Sequence, residues 1–119
     1  MTREIKFRAW DKQSKQMSEP FGLFDIPDGF INIDGNYCYE ADAEIMQYTG
    51  LKDVNGKEVY EGDIVNWSRK TGKVVWHKRI AGFVMENTNL DLERIDIEFE
   101  SEVIGNIYEN PNLLNNPTL

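Results

Sequence analysis

The chain is expected to fold as an all-β protein: an SH3-like small barrel over about residues 45–108, an N-terminal β lobe over 1–44, and a C-terminal helical turn and tail over 109–119. Three observations carry this expectation. Apolar residues recur with a period of two, as Ile5, Phe7 and Ala9 among Glu4, Lys6 and Arg8, and again as Ile95, Ile97 and Phe99 among Asp96, Glu98 and Glu100. Turn signals are closely spaced, at Asp28-Gly29, Asp34-Gly35, Asn55-Gly56 and Glu61-Gly62-Asp63, and the runs between them are too short for helices. At 119 residues the chain suits one domain, since two separate cores would each be marginal.

In chain order, Ile5 to Ala9 forms a strand with one buried face, and Trp10 falls on its polar side. Asp11 to Gln16 is a polar loop, after which Met17 begins the returning partner of an opening hairpin. From Pro20 to Tyr39 short apolar runs are cut by Pro27 and the Asp-Gly pairs; Phe30 to Ile33 is the strand expected there, with Cys38 a small strand residue between two tyrosines. Ala41 to Ile45 suits either a helical turn or the start of a strand.

The segment Met46 to Val65 organises the rest. Two apolar or aromatic runs flank the turn Asp53 to Lys57, where Asn55-Gly56 can supply positive φ angles, and a second reversal follows at Glu61-Gly62-Asp63. Asp63 to Trp67 and Gly72 to His77 read as antiparallel strands joined through Ser68 to Gly72, and Gly82 to Glu86 adds a third. This order is similar to small SH3-like barrels. Val103 to Tyr108 gives another strand. Asn110 before Pro111 is the expected start of a single helical turn that tucks Leu113 and Leu114 against the barrel.

Three blocks in this order resemble the YopX family of phage and prophage proteins: Arg3 to Asp11, Gln47 to Val65 and Val103 to Pro111. The resemblance implies a single domain of predominantly β fold in a bacterial cytoplasmic setting, and it implies no activity. Met17 to Ile45 and Thr88 to Glu100 lie outside the blocks.

Composition narrows the function classes. Cys38 is the only cysteine and His77 the only histidine, which excludes an internal disulfide and argues against an ordinary zinc site or a two-histidine relay. No apolar run approaches the roughly 20 residues of a membrane helix. The N-terminus alternates charged and apolar residues from the start, unlike a secretory signal, so a soluble cytoplasmic protein is expected. Glu40, Asp42 and Glu44 share one strand face and read as a solvated surface. The turns at Asp53 to Gly56 and Asn32 to Asn36 fail calcium-loop spacing, and no Gly-x-Ser-x-Gly elbow is present. No catalytic residue, metal ligand or cofactor is assigned, and an enzyme is not expected.

Charge is unevenly spread. The formal net charge is -8, yet Val65 to Ile80 carries Arg69, Lys70, Lys73, Lys78 and Arg79 with no acidic residue, alongside Trp67 and Trp76. The leading expectation is a non-enzymatic protein-interaction or assembly module whose partner is another protein or a second copy of the chain. The alternative is nucleic-acid binding through this hairpin, where each base stacked on an aromatic ring is worth roughly 1–3 kcal/mol and phosphate contacts are salt-sensitive. Trp67 shares a strand face with Val65, and Trp76 with Val74, a face that usually points into a core. The blocks Tyr60 to Asp63 and Gly105 to Asn110 read as architecture: glycines in turns or bulges, Asn110 as a cap, and tyrosines that bury their rings.

Overall fold

A computed structural model describes residues 5–22, 30–31, 37–38, 43–67, 70–87, 92–94 and 100–114. The chain divides into two compact units, Met1–Tyr48 and Thr49–Leu119.

In the first unit β1 (Lys6–Asp11) pairs antiparallel with β2 (Gln16–Met17) and with β3 (Phe21–Gly22). The expected opening hairpin is present. Its loop closes through Lys15 N–H to the Asp11 carbonyl at 2.8 Å, while Asp11 Oδ1 accepts the Gln13 N–H at 2.9 Å. Two short strands, β4 (Phe30–Ile31) and β5 (Tyr37–Cys38), pair with each other. The long strand β6 (Ala43–Lys52) lies along β1 in a register running from Phe7↔Gln47 to Asp11↔Ala43. Residues 43–45 are therefore strand and not a helical turn.

Ala9 and Ala43 are buried with Phe21 against them, while Trp10, Met46 and Tyr48 are buried on the opposite side of the β1–β6 pair. Both faces are covered, so Trp10 is inside although the β1 alternation placed it among polar residues. Period two marks a buried face only where the other face is wet.

The second unit begins with the end of β6, which neighbours β7 (Glu58–Tyr60) across the Asp53–Lys57 turn. Thr49 Oγ1 donates to the Val59 carbonyl at 2.8 Å and accepts the Leu51 N–H at 3.2 Å, so one side chain ties the two strands together. At the turn Gly56 takes φ +82 and Asn55 does not take a positive φ, so only half of the Asn-Gly expectation holds. A left-handed residue costs roughly 1–2 kcal/mol when it carries a Cβ, which favours glycine there.

Beyond Gly62, at φ +87, a five-stranded antiparallel sheet follows in the order β11-β10-β9-β8-β12. Its strands are β8 (Asp63–Trp67), β9 (Lys70–His77), β10 (Gly82–Asn87), β11 (Leu92–Arg94) and β12 (Glu102–Asn106). The sheet curls into a half-barrel, the SH3-like element the sequence anticipates. Val59, Val65, Val74, Phe83 and Met85 form its core, with Leu51, Trp67 and Val103 packed against them. The register of β12 on β8 shifts between Val103 and Gly105, a bulge at the expected glycine.

A 3-10 turn, Pro111–Leu114, closes the described chain, with Leu113 and Leu114 half-buried and the turn touching β9. The Asn110 side chain does not cap it. Asn110 Oδ1 turns back to accept the Asn106 N–H at 3.3 Å, and it is the Asn110 carbonyl that receives the Leu113 N–H at 3.1 Å. The alternating segment 95–99, and Asn32 and Ile33 of the expected Phe30–Ile33 strand, lie outside the described residues.

Candidate functional site

Among the described residues, strand pairing in the second unit carries one hairpin beyond its neighbours. β9 and β10 pair from Gly72↔Asn87 to His77↔Gly82. β8 accompanies β9 only as far as Lys73, with a last bond from Gly62 N–H to the Val74 carbonyl at 2.8 Å. β11 joins β10 from Val84 onward. Among the described residues, Trp76, His77 and Gly82 therefore pair only within their own hairpin, whose end forms an arm roughly 10 Å long by strand rise. Its base is fixed by Val74, Val84 and Met85, all essentially inaccessible to solvent.

The arm ends in the loop Lys78–Ala81, with Ala81 at φ +50 and its N–H toward the Lys78 carbonyl at 3.4 Å. Trp76 lies directly across the ladder from Phe83, and the rings meet edge-on at 5.1 Å and 76°. Phe83 is buried by this contact and by the core, but Trp76 stays 43% exposed and Ile80 40% exposed. Trp76 thus does share the core-facing side with Val74, as the alternation requires, and projects past the end of the core. Lys78 and Arg79 are exposed beside it and make no ion pair among the described residues.

The other residues singled out by sequence fall elsewhere on the sheet. Trp67 is half-buried against the core. Lys70 starts β9, at the far end from the arm, and by strand rise is roughly 25 Å from Lys78. Lys73 lies between them with its ammonium 3.6 Å from Glu86, its cross-strand partner. Arg69 is outside the described residues. The structure therefore brings together Trp76, Lys78 and Arg79 and keeps them apart from Trp67 and Lys70.

Ile80 and Phe83 belong with the arm and were not singled out by sequence. The signal available for them is the four-residue spacing between His77 and Gly82, which sets Phe83 opposite Trp76. His77, half-buried where the arm meets its loop, has a buried Nδ1 without a hydrogen-bond partner among the described residues. Among the described residues no three His, Cys, Asp or Glu side chains converge as metal ligands would, and no helix is long and apolar enough to cross a membrane.

The fold and this surface define a small all-β protein, with an SH3-like half-barrel carrying an aromatic and cationic hairpin. The chain belongs to the YopX family, whose model, described as YopX protein, matches residues 6–115. It is similar to protein EF1440 from Enterococcus faecalis, known from a crystal structure, at a TM-score of 0.64 and 31% identity over 95% of this chain and 99% of that one. No curated protein matches it.

Proposed function

We propose that this chain is a non-enzymatic protein-interaction or assembly module, acting in the bacterial cytoplasm in a phage or prophage setting, and that its β9–β10 arm carries the contact. The observation behind this reading is Trp76, 43% exposed on the arm, followed in the adjoining loop by exposed Ile80 and by Lys78 and Arg79, which make no ion pair among the described residues. Tryptophan and arginine are the residue types most enriched where binding energy concentrates, and an apolar pair rimmed by charge has the composition of an interface centre with its polar edge. Position 80 bearing a photo-reactive side chain should cross-link specific proteins in host extract, whereas position 13, on an exposed turn of the first unit, should not. Equal labelling from both positions would refute the arm's role.

Nucleic-acid binding is the second reading, favoured by the same exposed ring next to Lys78 and Arg79. Weighing against it are the single well-exposed tryptophan, the pairing of Lys73 with Glu86 and the distance from Lys70 to the arm. A titration with labelled single-stranded DNA and RNA at two salt concentrations separates the readings. Tight, salt-sensitive binding lost in Lys78→Glu would establish the second.

A further inference from the structure

We infer that the occupant of the arm is a second copy of this chain, in a two-fold dimer where each arm lies against Glu100 and Glu102 of the other copy; this rests on the arm being the interaction surface. Charge complementarity carries the step. The segment from Val65 to Ile80 contributes +5 to a chain of net charge -8, so the remaining residues carry -13. Another copy of the chain therefore offers the arm a strongly acidic surface.

Among the described carboxylates of the second unit, two neighbours stand out. Most carboxylates of the second unit whose side chains are described are engaged: Asp53 by backbone N–H groups, Glu58 by the Tyr60 hydroxyl, Glu86 by Lys73 and Glu109 by Asn106 Nδ2. Glu61 and Asp63 also have partners. Glu100 and Glu102 are exposed and make no ion pair among the described residues. Between them Ser101 is 1% exposed and after them Val103 packs on the core, so the in-and-out alternation leading into the outer strand β12, which begins at Glu102, leaves both glutamates on the outward side.

Arm and acceptor are complementary in sign and lie on one unit, so two copies can satisfy both contacts at once. A two-fold arrangement closes on itself, whereas a single repeated arm-to-body contact would continue into a filament. Lys78 and Arg79 opposite the glutamates set partner choice and association rate, and Trp76 with Ile80 supplies the apolar anchor.

Light scattering coupled to size exclusion tests this on the full chain. The wild type should run at twice 13.8 kDa at low salt and move toward 13.8 kDa as salt screens the contacts. Lys78→Glu/Arg79→Glu and Glu100→Lys/Glu102→Lys should each be monomeric alone, and their equimolar mixture should restore the dimer because both contacts regain opposite signs. A wild type that stays monomeric at high concentration and low salt overturns the inference, as does a dimer unaffected by either variant. If the wild type is monomeric while position 80 still cross-links another protein, self-docking falls and the arm reading stands. If position 80 marks nothing that position 13 does not, both fall.

Discussion

Asp53 Oδ2 accepts the backbone N–H of Val103 at 2.9 Å, so a carboxylate in the β6–β7 turn holds the outer strand β12, fifty residues further along the chain. Its other oxygen accepts the N–H groups of Asn55 at 2.9 Å and Lys57 at 2.8 Å, and the Val54 N–H adds a bond to the Ser101 carbonyl at 2.9 Å. One buried side chain thus shapes the turn and fixes the strand that carries Glu102. Burial pushes the Asp53 carboxyl up, but the N–H donors of Val103, Lys57 and Asn55 and the Lys57 charge outweigh it and hold the group below its ordinary 3.8.

Asp53→Asn should destabilise the protein by about 1–3 kcal/mol at neutral pH, because an amide nitrogen facing Val103 cannot accept its N–H and the buried donor is orphaned. The pH dependence follows from the lowered value. The carboxylate's contribution is fully present above the unfolded-state value of 3.8 and is lost as pH falls through the lower folded-state value. Urea unfolding of both proteins at neutral pH and well below pH 3.8 should show the gap between them narrowing in acid. A gap that persists unchanged would remove Asp53 from this role.

Gly105→Ala should cost about 1–3 kcal/mol, since a Cβ there would lie 2.5 Å from Asn110 Oδ1 and displace the side chain that accepts the Asn106 N–H. Combining it with Asn110→Gly, which removes the obstructing atoms, should recover part of the loss. A double-mutant cycle should give a coupling of at least about 0.5 kcal/mol, and additive losses would show that the two residues do not interact.

Trp76→Ala should lower stability by only about 1 kcal/mol, the order of one aromatic pair contact, while Val74→Ala two residues earlier should cost about 2 kcal/mol or more through an unfilled core. Thermal melts of the two variants make the comparison. A larger loss for Trp76 would place it in the core after all.

Much of the fold is legible in the sequence because its determinants are local. Glycine at Gly56, Gly62 and Gly105 marks reversals or a bulge, alternation marks β1 and β9, and a short apolar run marks β10. The long-range determinants are not legible. The Asp53–Val103 bond depends on how strands fifty residues apart are aligned, and nothing near Asp53 announces it. Asn110 before Pro111 looks like a helix cap, yet Asn106 organises this corner: its Oδ1 accepts the Tyr108 and Glu109 N–H groups and its Nδ2 reaches Glu109. For the candidate site, sequence gives the cations and both tryptophans, and alternation puts each ring on the core side. Which ring emerges is set by where β8 stops accompanying β9, a property of the assembled sheet.

A single-tryptophan protein, with Trp10→Phe and Trp67→Phe, reports on Trp76 alone and so on the arm itself. In dilute solution its fluorescence should be red-shifted and readily quenched by iodide, and raising the concentration at low salt should shift it to the blue and protect it. Emission that is blue and unquenchable in dilute monomer would put Trp76 inside the fold and leave the arm without its anchor.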